Sequence, residues 1–289
     1  MRILILGGDG MLGHQLLKQY RRRHDARVTL RRPLDEYATY GLFDSDNAFP
    51  NVDAVNFDHV ENTVRGFQPE AVINAIGIVK QRSEAQDAIL SLEINSLLPH
   101  RLSLLCADIG ARLIHISTDC VFSGNKGMYT EDDLEDATDL YGRSKLLGEL
   151  SAPHAVTLRT SIIGLELSRR KSLIEWFLAQ RGSIKGFTRA IYSGFTTKEM
   201  ARIIELVLLE NPSLSGLWHV ASSSINKYDL LSVFSGKLGR ADVTIVADSS
   251  FACDRSLDGT RFERETGYAP PSWDTMLGEL AAEAQEQKE

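Results

Sequence analysis

The chain has 289 residues, enough for one large domain or two smaller ones. Apolar residues make up 43% of it, as in ordinary globular proteins with a full hydrophobic core. Acidic residues outnumber basic ones by 39 to 32, and the net charge of −7 argues against a nucleic-acid-binding protein, which usually presents a basic face.

The three cysteines, Cys106, Cys120 and Cys253, are odd in number, and no two of them sit at metal-ligand spacing. Free thiols in a reducing compartment are the simplest interpretation. The first strand-like run is too short for a signal peptide, and no later apolar run is long enough to span a membrane. We therefore expect a soluble, cytoplasmic protein with no metal site and with no membrane or nucleic-acid partner.

The first half alternates β-rich apolar runs with stretches of helical periodicity. Near-continuous apolar strands that alternate with helices indicate a parallel sheet covered by helices on both faces, which is a doubly wound α/β fold. The predicted strands are Arg2–Leu6, Arg27–Leu30, Ala71–Ala75, Arg112–Ser117 and Ala155–Leu158.

The second half is less regular and predicts a smaller α/β part built beside the sheet. Helices are expected from Lys198 to Glu210, from Lys227 to Leu238, and from Ser272 onward. We place an approximate boundary after residue 160, which gives the parts 1–160 and 161–289, and we expect the chain to cross between them.

The first predicted strand runs directly into a glycine-rich turn that ends at Gly13. In a strand–turn–helix unit, glycines at the spacing of Gly7, Gly10 and Gly13 make the tight turn, let the backbone approach a pyrophosphate and let the helix pack on the strand. The pyrophosphate then lies on the N–H groups of the helix N-terminus. Glycines also serve ordinary turns, but this context predicts a dinucleotide-binding turn.

The end of the second strand in such units contacts the adenosine ribose. An acidic residue there favours NAD by bonding its 2′-hydroxyl, whereas an arginine accommodates the 2′-phosphate of NADP. Arg31 and Arg32 follow the second predicted strand, and no acid occurs before Asp35. The sequence thus favours NADPH over NADH, the alternative being two solvated arginines on a loop.

Tyr141 and Lys145 are four residues apart, so on a helix their side chains share one face. A phenol normally titrates near ~10, and a neighbouring ammonium group favours its ionised form. The tyrosine then donates a proton to a carbonyl oxygen while hydride reaches the carbonyl carbon. The spacing also arises by chance, but downstream of a dinucleotide-binding turn it predicts a catalytic pair.

The predicted strand before this pair ends in Ser117-Thr118-Asp119. Ligands of parallel α/β sheets bind beyond the carboxyl ends of the strands, so a hydroxyl at this point orients and polarises a substrate carbonyl. We prefer Thr118 to Ser117 for this role, with Ser117 beside the cofactor and Asp119 beside the substrate. The alternative is that the three side chains cap a turn.

Together these features resemble the extended short-chain dehydrogenase/reductase superfamily, and within it the dTDP-4-dehydrorhamnose reductase-like family. The resemblance covers nearly the whole chain and implies a Rossmann-type fold with a smaller C-terminal substrate-binding part. Its anchors are the turn from Gly7 to Gly13, Val72-Ile73-Asn74-Ala75, Ser117-Thr118-Asp119, Tyr141 with Lys145, Arg159-Thr160-Ser161, Gly216-Leu217-Trp218-His219 and Arg255-Ser256-Leu257-Asp258.

The resemblance also implies roles for individual residues. Thr118, Tyr141 and Lys145 form the catalytic set, and Tyr141 and Lys145 contact the cofactor as well. Arg255 approaches the nucleotide-sugar substrate at its diphosphate, where a guanidinium fits well. The other implied cofactor-binding residues are Gly7, Gly10, Met11 and Leu12 at the pyrophosphate, Asp53 and Ala54 at the adenine, Asn74, Ala75 and Gly77 at the ribose and diphosphate, and Thr160 and Ser161 at the nicotinamide.

Three stretches depart from the family pattern. Cys120 stands where the family commonly has an aromatic residue. The run 77–81, which includes Lys80, and the run 189–195, which begins with Arg189, also differ. We expect all three near the substrate, with Lys80 and Arg189 either binding a phosphate or sugar or lying solvated on the surface.

The resemblance implies an NADPH-dependent reductase of a nucleotide-activated 4-keto-6-deoxyhexose in deoxysugar or polysaccharide biosynthesis, with a homodimer left open. One alternative is an epimerase that keeps its cofactor bound. Dehydratases of the superfamily carry an Asp-Glu pair after the catalytic threonine, whereas Asp119-Cys120 follows Thr118 here. Another alternative is a non-catalytic regulatory subunit that uses the fold to bind a partner.

Overall fold

The computed structural model describes residues 1–79, 86–168 and 170–287. Within these ranges, seven parallel strands form a central sheet: β1 (Arg2–Leu6), β2 (Asp25–Thr29), β3 (Ala48–Phe49), β4 (Ala71–Asn74), β5 (Arg112–Thr118), β6 (Ala155–Thr160) and β10 (Gly216–His219). Their order is β10-β6-β5-β4-β1-β2-β3, so the chain reverses its direction across the sheet between β1 and β4. The predicted doubly wound α/β fold is confirmed.

Helices cover both faces of this sheet. A π-helical turn at Glu93–Leu97 joins α3 (Ala88–Leu92) to α4 (Leu98–Ile109). The helices are α1 (Met11–Tyr20), α2 (Phe57–Phe67), α3 (Ala88–Leu92), α4 (Leu98–Ile109), α5 (Leu140–Leu146), α6 (Leu173–Leu178), α7 (Thr197–Leu209), α8 (Lys227–Lys237), α9 (Thr260–Thr266) and α10 (Trp273–Glu286). Among the described helices, none is both long and apolar enough to cross a membrane.

The continuous apolar run of β1 is explained by burial on both faces of the sheet. Successive strand residues point to opposite sides, so Ile3 and Ile5 pack with α1, α7 and α10, whereas Leu4 and Leu6 pack with α2 and α4. Each of these fully buried side chains stabilises the fold by about 1.5–3 kcal/mol. The strand is therefore held between two helical layers.

Side-chain caps explain where the second-half helices begin. The hydroxyl of Thr196 accepts the N–H of Glu199 at the start of α7, and Ser272 accepts the N–H of Thr275 at the start of α10. Helix α7 begins and ends one residue earlier than the sequence predicts. The predicted strands and helices are present, with ends that shift by one or two residues.

Two smaller sheets belong to the second half. Strand β8 (Gly182–Tyr192) lies between β11 (Ile225–Asn226) and β12 (Val243–Asp254), and β7 (Ile162–Ile163) pairs with β9 (Phe195–Thr196). The sequence did not predict β8 or β12, because most of β12 is exposed and its apolar alternation is weak.

The chain returns to the central sheet after residue 160. Strand β10 pairs with β6, and the helical layer over β1 combines α1 with α7 and α10. The phenol of Tyr20 donates to the carbonyl of Ala201 at 2.6 Å, and the amide of Gln15 donates to Glu283 at 2.9 Å. The boundary near residue 160 stays a prediction, and the core that these contacts join includes residues from both sides of it.

Candidate active site

The glycine-rich turn connects β1 to α1. A Cβ atom on Gly13 would lie 2.0 Å from the carbonyl oxygen of Gly7, and one on Gly8 would lie 2.4 Å from the Cβ of Val28. Gly7 also has a φ of +86°, a backbone conformation that side chains other than glycine rarely adopt. Gly10, the residue before α1, has no side chain to cap the helix. The first N–H groups of α1 are therefore available to an anion.

A cavity of about 500 Å³ lies beyond the carboxyl ends of β1, β4, β5 and β6, next to the switch point of the sheet. Many of the predicted site residues line it, although they come from distant parts of the sequence. They are Gly10, Met11, Leu12, Ala75, Gly77, Ser117, Thr118, Asp119, Tyr141, Lys145, Thr160, Ser161 and Arg255.

Other predicted residues lie outside this lining. Arg189 is exposed on β8, directly before the cavity-lining Ala190. Lys80 lies outside the described residues. Of the described residues with predicted roles, those that do not line the cavity are Gly7, Arg31, Arg32, Asp53, Ala54, Asn74 and Arg189.

Helix α5 carries Tyr141 and Lys145 into the cavity. It begins after Asp139, whose carboxylate accepts the N–H of Gly142 at 2.9 Å. A Cβ on Gly142 would lie 2.2 Å from the carbonyl oxygen of Cys120, so glycine allows the helix to pack directly on the turn after β5. The two side chains thereby reach the same cavity as the end of that strand.

Burial shifts the pKa values of this pair in opposite directions. Lys145 is 4% exposed, its ammonium group donates to the carbonyl of Ile116 at 2.6 Å, and burial lowers its pKa to about 8 against the opposing effect of Glu149. Burial raises the pKa of Tyr141 above its usual value, with contact to Thr118 acting in the other direction. The sequence predicts a lowered pKa for Tyr141, but in the structure its desolvation is the larger effect.

The turn after β5 holds Thr118 in a fixed set of hydrogen bonds. Its hydroxyl accepts the N–H of Cys120 at 3.1 Å and donates to the carboxylate of Asp119 at 3.1 Å. The same side chain is in hydrogen-bonding contact with the phenol of Tyr141. Thr118 therefore caps the turn, as the alternative interpretation proposed, and also faces the tyrosine.

The Ser117 hydroxyl has a different partner. It donates at 2.6 Å to Glu149, which also accepts two hydrogen bonds from the guanidinium of Arg159 at 2.6 and 2.8 Å. Arg159 is buried, and it pairs with Glu135 as well and stacks near the ring of Phe122. Because a buried charge needs partners, this network holds Arg159 in place and anchors Ser117, which lines the cavity.

The cavity lining also contains charged residues that the sequence analysis missed. Lys171, Lys227 and Glu166 line the cavity together with the predicted Arg255. The guanidinium of Arg255 donates to the carbonyl of Phe122 at 2.8 Å and lies beside Asp119 and Cys120. The linear pattern gives no signal for Lys171 and Lys227, since folding alone brings their segments to the cavity.

The two arginines after β2 are both exposed and paired with acids. Arg31 lies 3.6 Å from Asp53, and Arg32 donates to Glu36 at 2.8 Å. The end of β2 is joined to the glycine-rich turn, because the N–H of Gly8 donates to the carbonyl of Thr29 at 2.9 Å.

Asn74 shapes the turn after β4 from within. Its side chain is fully buried, is hydrogen-bonded to the imidazole of His115 at 3.1 Å and accepts the N–H of Ile76 at 3.2 Å. The backbone that it supports presents Ala75 and Gly77 to the cavity.

A doubly wound sheet, a glycine-rich first turn and a Tyr–Lys pair beside a strand-end threonine are the features of the extended short-chain dehydrogenase/reductases. Within that class, the RmlD substrate binding domain family matches residues 1–286, and the chain belongs to this family.

Its relatives include dTDP-4-dehydrorhamnose reductases and a subunit of methionine adenosyltransferase 2. The dTDP-4-dehydrorhamnose reductase of Aggregatibacter actinomycetemcomitans is 24% identical over 308 residues, which cover 98% of this chain and 99% of that protein. Methionine adenosyltransferase 2 subunit beta of Mus musculus is 29% identical over 150 residues, which cover 51% of this chain and only 41% of that protein. The fold matches that of a Bacillus anthracis dTDP-4-dehydrorhamnose reductase solved in complex with NADP, with a TM-score of 0.78, 23% identity and coverage of 98% of this chain and 99% of that one.

Proposed function

We propose that the protein is an NADPH-dependent reductase of a nucleotide-activated 4-keto-6-deoxyhexose that acts in deoxysugar or polysaccharide biosynthesis. The observation that carries this proposal is the meeting of Thr118, Tyr141 and Lys145 on one cavity that also includes the glycine-rich turn. Full-length similarity to dTDP-4-dehydrorhamnose reductases and to a low-salt glycan biosynthesis reductase of Haloferax volcanii supports it.

The residues of the first half fit a nicotinamide dinucleotide. A Cβ at Gly13 would fill the space inside the turn from Gly7 to Gly13. The N-terminus of α1, which has no side-chain cap, suits a diphosphate. Met11 and Leu12 would bind that diphosphate, and Thr160 and Ser161 would bind near the nicotinamide. Gly7, Asn74, Ala75 and Gly77 would support the remaining contacts, as would Ser117, Asp53 and Ala54.

In the proposed mechanism, Tyr141 acts as the proton donor. NADPH, when bound, would supply the hydride for the keto carbon. Tyr141 gives its phenolic proton to the keto oxygen, and Thr118 donates a hydrogen bond to the same oxygen. Lys145, charged below a pH of about 8, would hold the cofactor ribose and would stabilise the phenolate that forms on Tyr141.

The substrate would occupy the wall formed by the second half. Arg255 lies beside Asp119 of the first half, and Lys171 and Lys227 add positive charge to the same cavity. A nucleoside diphosphate is the anion that such a wall favours. Lys80 and Arg189 remain candidates for phosphate or sugar binding.

The test is incubation of the protein with NADPH and a panel of dTDP-, UDP- and GDP-linked 4-keto-6-deoxy sugars. Net oxidation of NADPH with one of them, and isolation of the corresponding 6-deoxyhexose, is the expected result. If a product epimer forms without net use of NADPH, the protein is an epimerase instead.

A non-catalytic regulatory subunit is the second candidate, and the relatives include a protein named as a subunit, methionine adenosyltransferase 2 subunit beta. In that case the protein would bind NADPH but reduce no keto sugar. The complete set Thr118, Tyr141 and Lys145 favours catalysis.

The cellular and oligomeric context belongs to the same proposal. The free thiols of Cys106, Cys120 and Cys253 fit a reducing cytoplasm. A homodimer would cover the exposed side chains of Leu104 and Leu147. These residues lie near each other, since His100, one turn before Leu104 on α4, is hydrogen-bonded to the carbonyl of Leu147. The molar mass in solution tests it.

A further inference from the structure

The Thr118 hydroxyl has one proton, but the hydrogen bond to Asp119 and the proposed hydrogen bond to the keto oxygen both require it. A hydroxyl carries one proton and two acceptor lone pairs. In the structure the proton goes to Asp119, and one lone pair accepts the N–H of Cys120. While the proton points to Asp119, only a lone pair faces Tyr141 or a substrate carbonyl. The contact with Thr118 lowers the pKa of Tyr141 only when the hydroxyl turns its proton away from the carboxylate and towards the phenol.

Asp119 is the partner that takes this proton. The side chain is 8% exposed and lines the cavity, so the substrate and a water molecule can both reach it. Burial raises the pKa of its carboxyl group above the usual range, and contacts with Thr118 and Ser161 oppose that shift by stabilising the carboxylate. The charged and titratable groups that face Asp119 are Arg255, Cys120, Tyr141 and Tyr192.

We propose that Asp119 is a positioning residue whose protonation turns the Thr118 hydroxyl from the carboxylate towards the substrate carbonyl. The inference rests on the proposed reductase function. As the keto sugar displaces solvent, the Asp119 carboxylate takes up one proton from the buffered bulk solvent, which supplies it as hydronium ion. The resulting O–H donates to the oxygen of Thr118, and the Thr118 proton, now released, donates to the keto oxygen.

The proton count of the reaction is unchanged by this step. Asp119 and Thr118 supply hydrogen bonds, whereas Tyr141 still gives the proton that the product keeps. Arg255 limits the effect, because its positive charge favours the ionised carboxylate. Substrate binding and proton uptake at Asp119 are therefore coupled.

The kinetic test compares Asp119→Asn with the wild type and with Asp139→Asn. The asparagine amide donates to the oxygen of Thr118 at every pH, so the Thr118 proton always points to the keto oxygen. Asp139→Asn is the matched control, since Asp139 also acts electrostatically on Tyr141 but caps α5, and asparagine is an equally good cap.

We expect wild-type kcat/KM to fall by about tenfold per pH unit above the pKa of Asp119. In Asp119→Asn this fall in kcat/KM should be absent, and only the fall near pH 8 that Lys145 causes should remain. Asp139→Asn should show both falls. A wild-type profile in Asp119→Asn, or a loss of its activity by more than about 100-fold at every pH, overturns the proposal.

A second measurement needs no turnover. NMR of protein with ¹³C-labelled aspartate carboxyl groups gives the pKa of Asp119, with the signal assigned by its loss in Asp119→Asn. Thr118→Val should raise that pKa by about one unit, because the ionised form loses a donor. An unchanged pKa overturns the inference even if a keto sugar is reduced. If no keto sugar is reduced, the proposed function fails while this titration still decides the hydrogen bond.

Discussion

Lys145 and Asp119 lie on the same cavity, and desolvation moves the pKa of each towards neutrality. Burial lowers the pKa of Lys145 to about 8 and raises that of Asp119. Both shifts follow from one cause, since a low-dielectric environment disfavours the charged form of either group. Groups poised in this way are typical of sites that move protons.

The pKa of Lys145 predicts an alkaline limit to activity. Lys145 is charged below a pH of about 8 and neutral above it, so kcat/KM should fall as the pH rises through that value. Lys145→Arg keeps its charge at every working pH, and any activity that it retains should not show this limb. If kcat/KM of the variant falls at the same pH, a group other than Lys145 causes the fall.

Tyr141→Phe tests the proton donor itself. The substitution removes the phenolic hydroxyl and little else, so kcat should fall by about 10²–10⁴-fold, the usual contribution of a positioned general acid. The affinity for NADPH, measured by fluorescence titration, should stay close to that of the wild type. Unchanged turnover would remove Tyr141 from the mechanism.

At the scale of secondary-structure elements, the close contact between β1 and α1 depends on Gly13. An added methyl group would lie 2.0 Å from the carbonyl of Gly7, so Gly13→Ala must push the helix away from the turn. We expect a loss of stability of about 1–3 kcal/mol from this overpacking, together with weaker NADPH binding.

The control for this substitution is Gly66→Ala in α2, where a Cβ has no neighbour within 4 Å among the described residues. Alanine favours a helix over glycine by about 1 kcal/mol, so the control should be as stable as the wild type or more so. Chemical denaturation of both variants gives the comparison. Equal stability in Gly13→Ala and the wild type would show that the turn tolerates a side chain.

The loop after β2 should set cofactor preference. If Arg31 and Arg32 bind the 2′-phosphate, their joint replacement by alanine removes charge-assisted bonds worth about 1.5–3 kcal/mol each. The KM for NADPH should then rise at least tenfold relative to that for NADH. Arg21→Ala with Arg22→Ala, at exposed positions after α1, is the control. Equal changes in both KM values would contradict the assignment.

On the scale of the whole molecule, local patterns predicted the first half well. The strands there are buried on both faces, so their apolar runs are continuous, and the glycine turn and the Tyr141–Lys145 spacing are local signals. The position of Thr118 followed from the rule that parallel strands end at the ligand site. These features needed no knowledge of distant contacts.

The part of the cavity formed by the second half of the chain was harder to predict, for a physical reason. Strand β12 is largely exposed and has little apolar alternation, and Lys171 and Lys227 reach the cavity only through tertiary packing. The orientation of the Thr118 hydroxyl depends on hydrogen bonds of 3.1 Å that a sequence does not specify. The fold and many of the residues that line the cavity were thus predictable, whereas the electrostatics of the cavity were not.

The most direct test of the central claim is transfer of deuterium from NADPH labelled at both positions of nicotinamide C4 to a nucleotide-linked 4-keto-6-deoxyhexose. The proposed function predicts one deuterium at C4 of the sugar for each NADPH oxidised, which mass spectrometry and NMR of the product detect. Product formed without loss of NADPH, or NADPH oxidised without deuterium in the sugar, would contradict it.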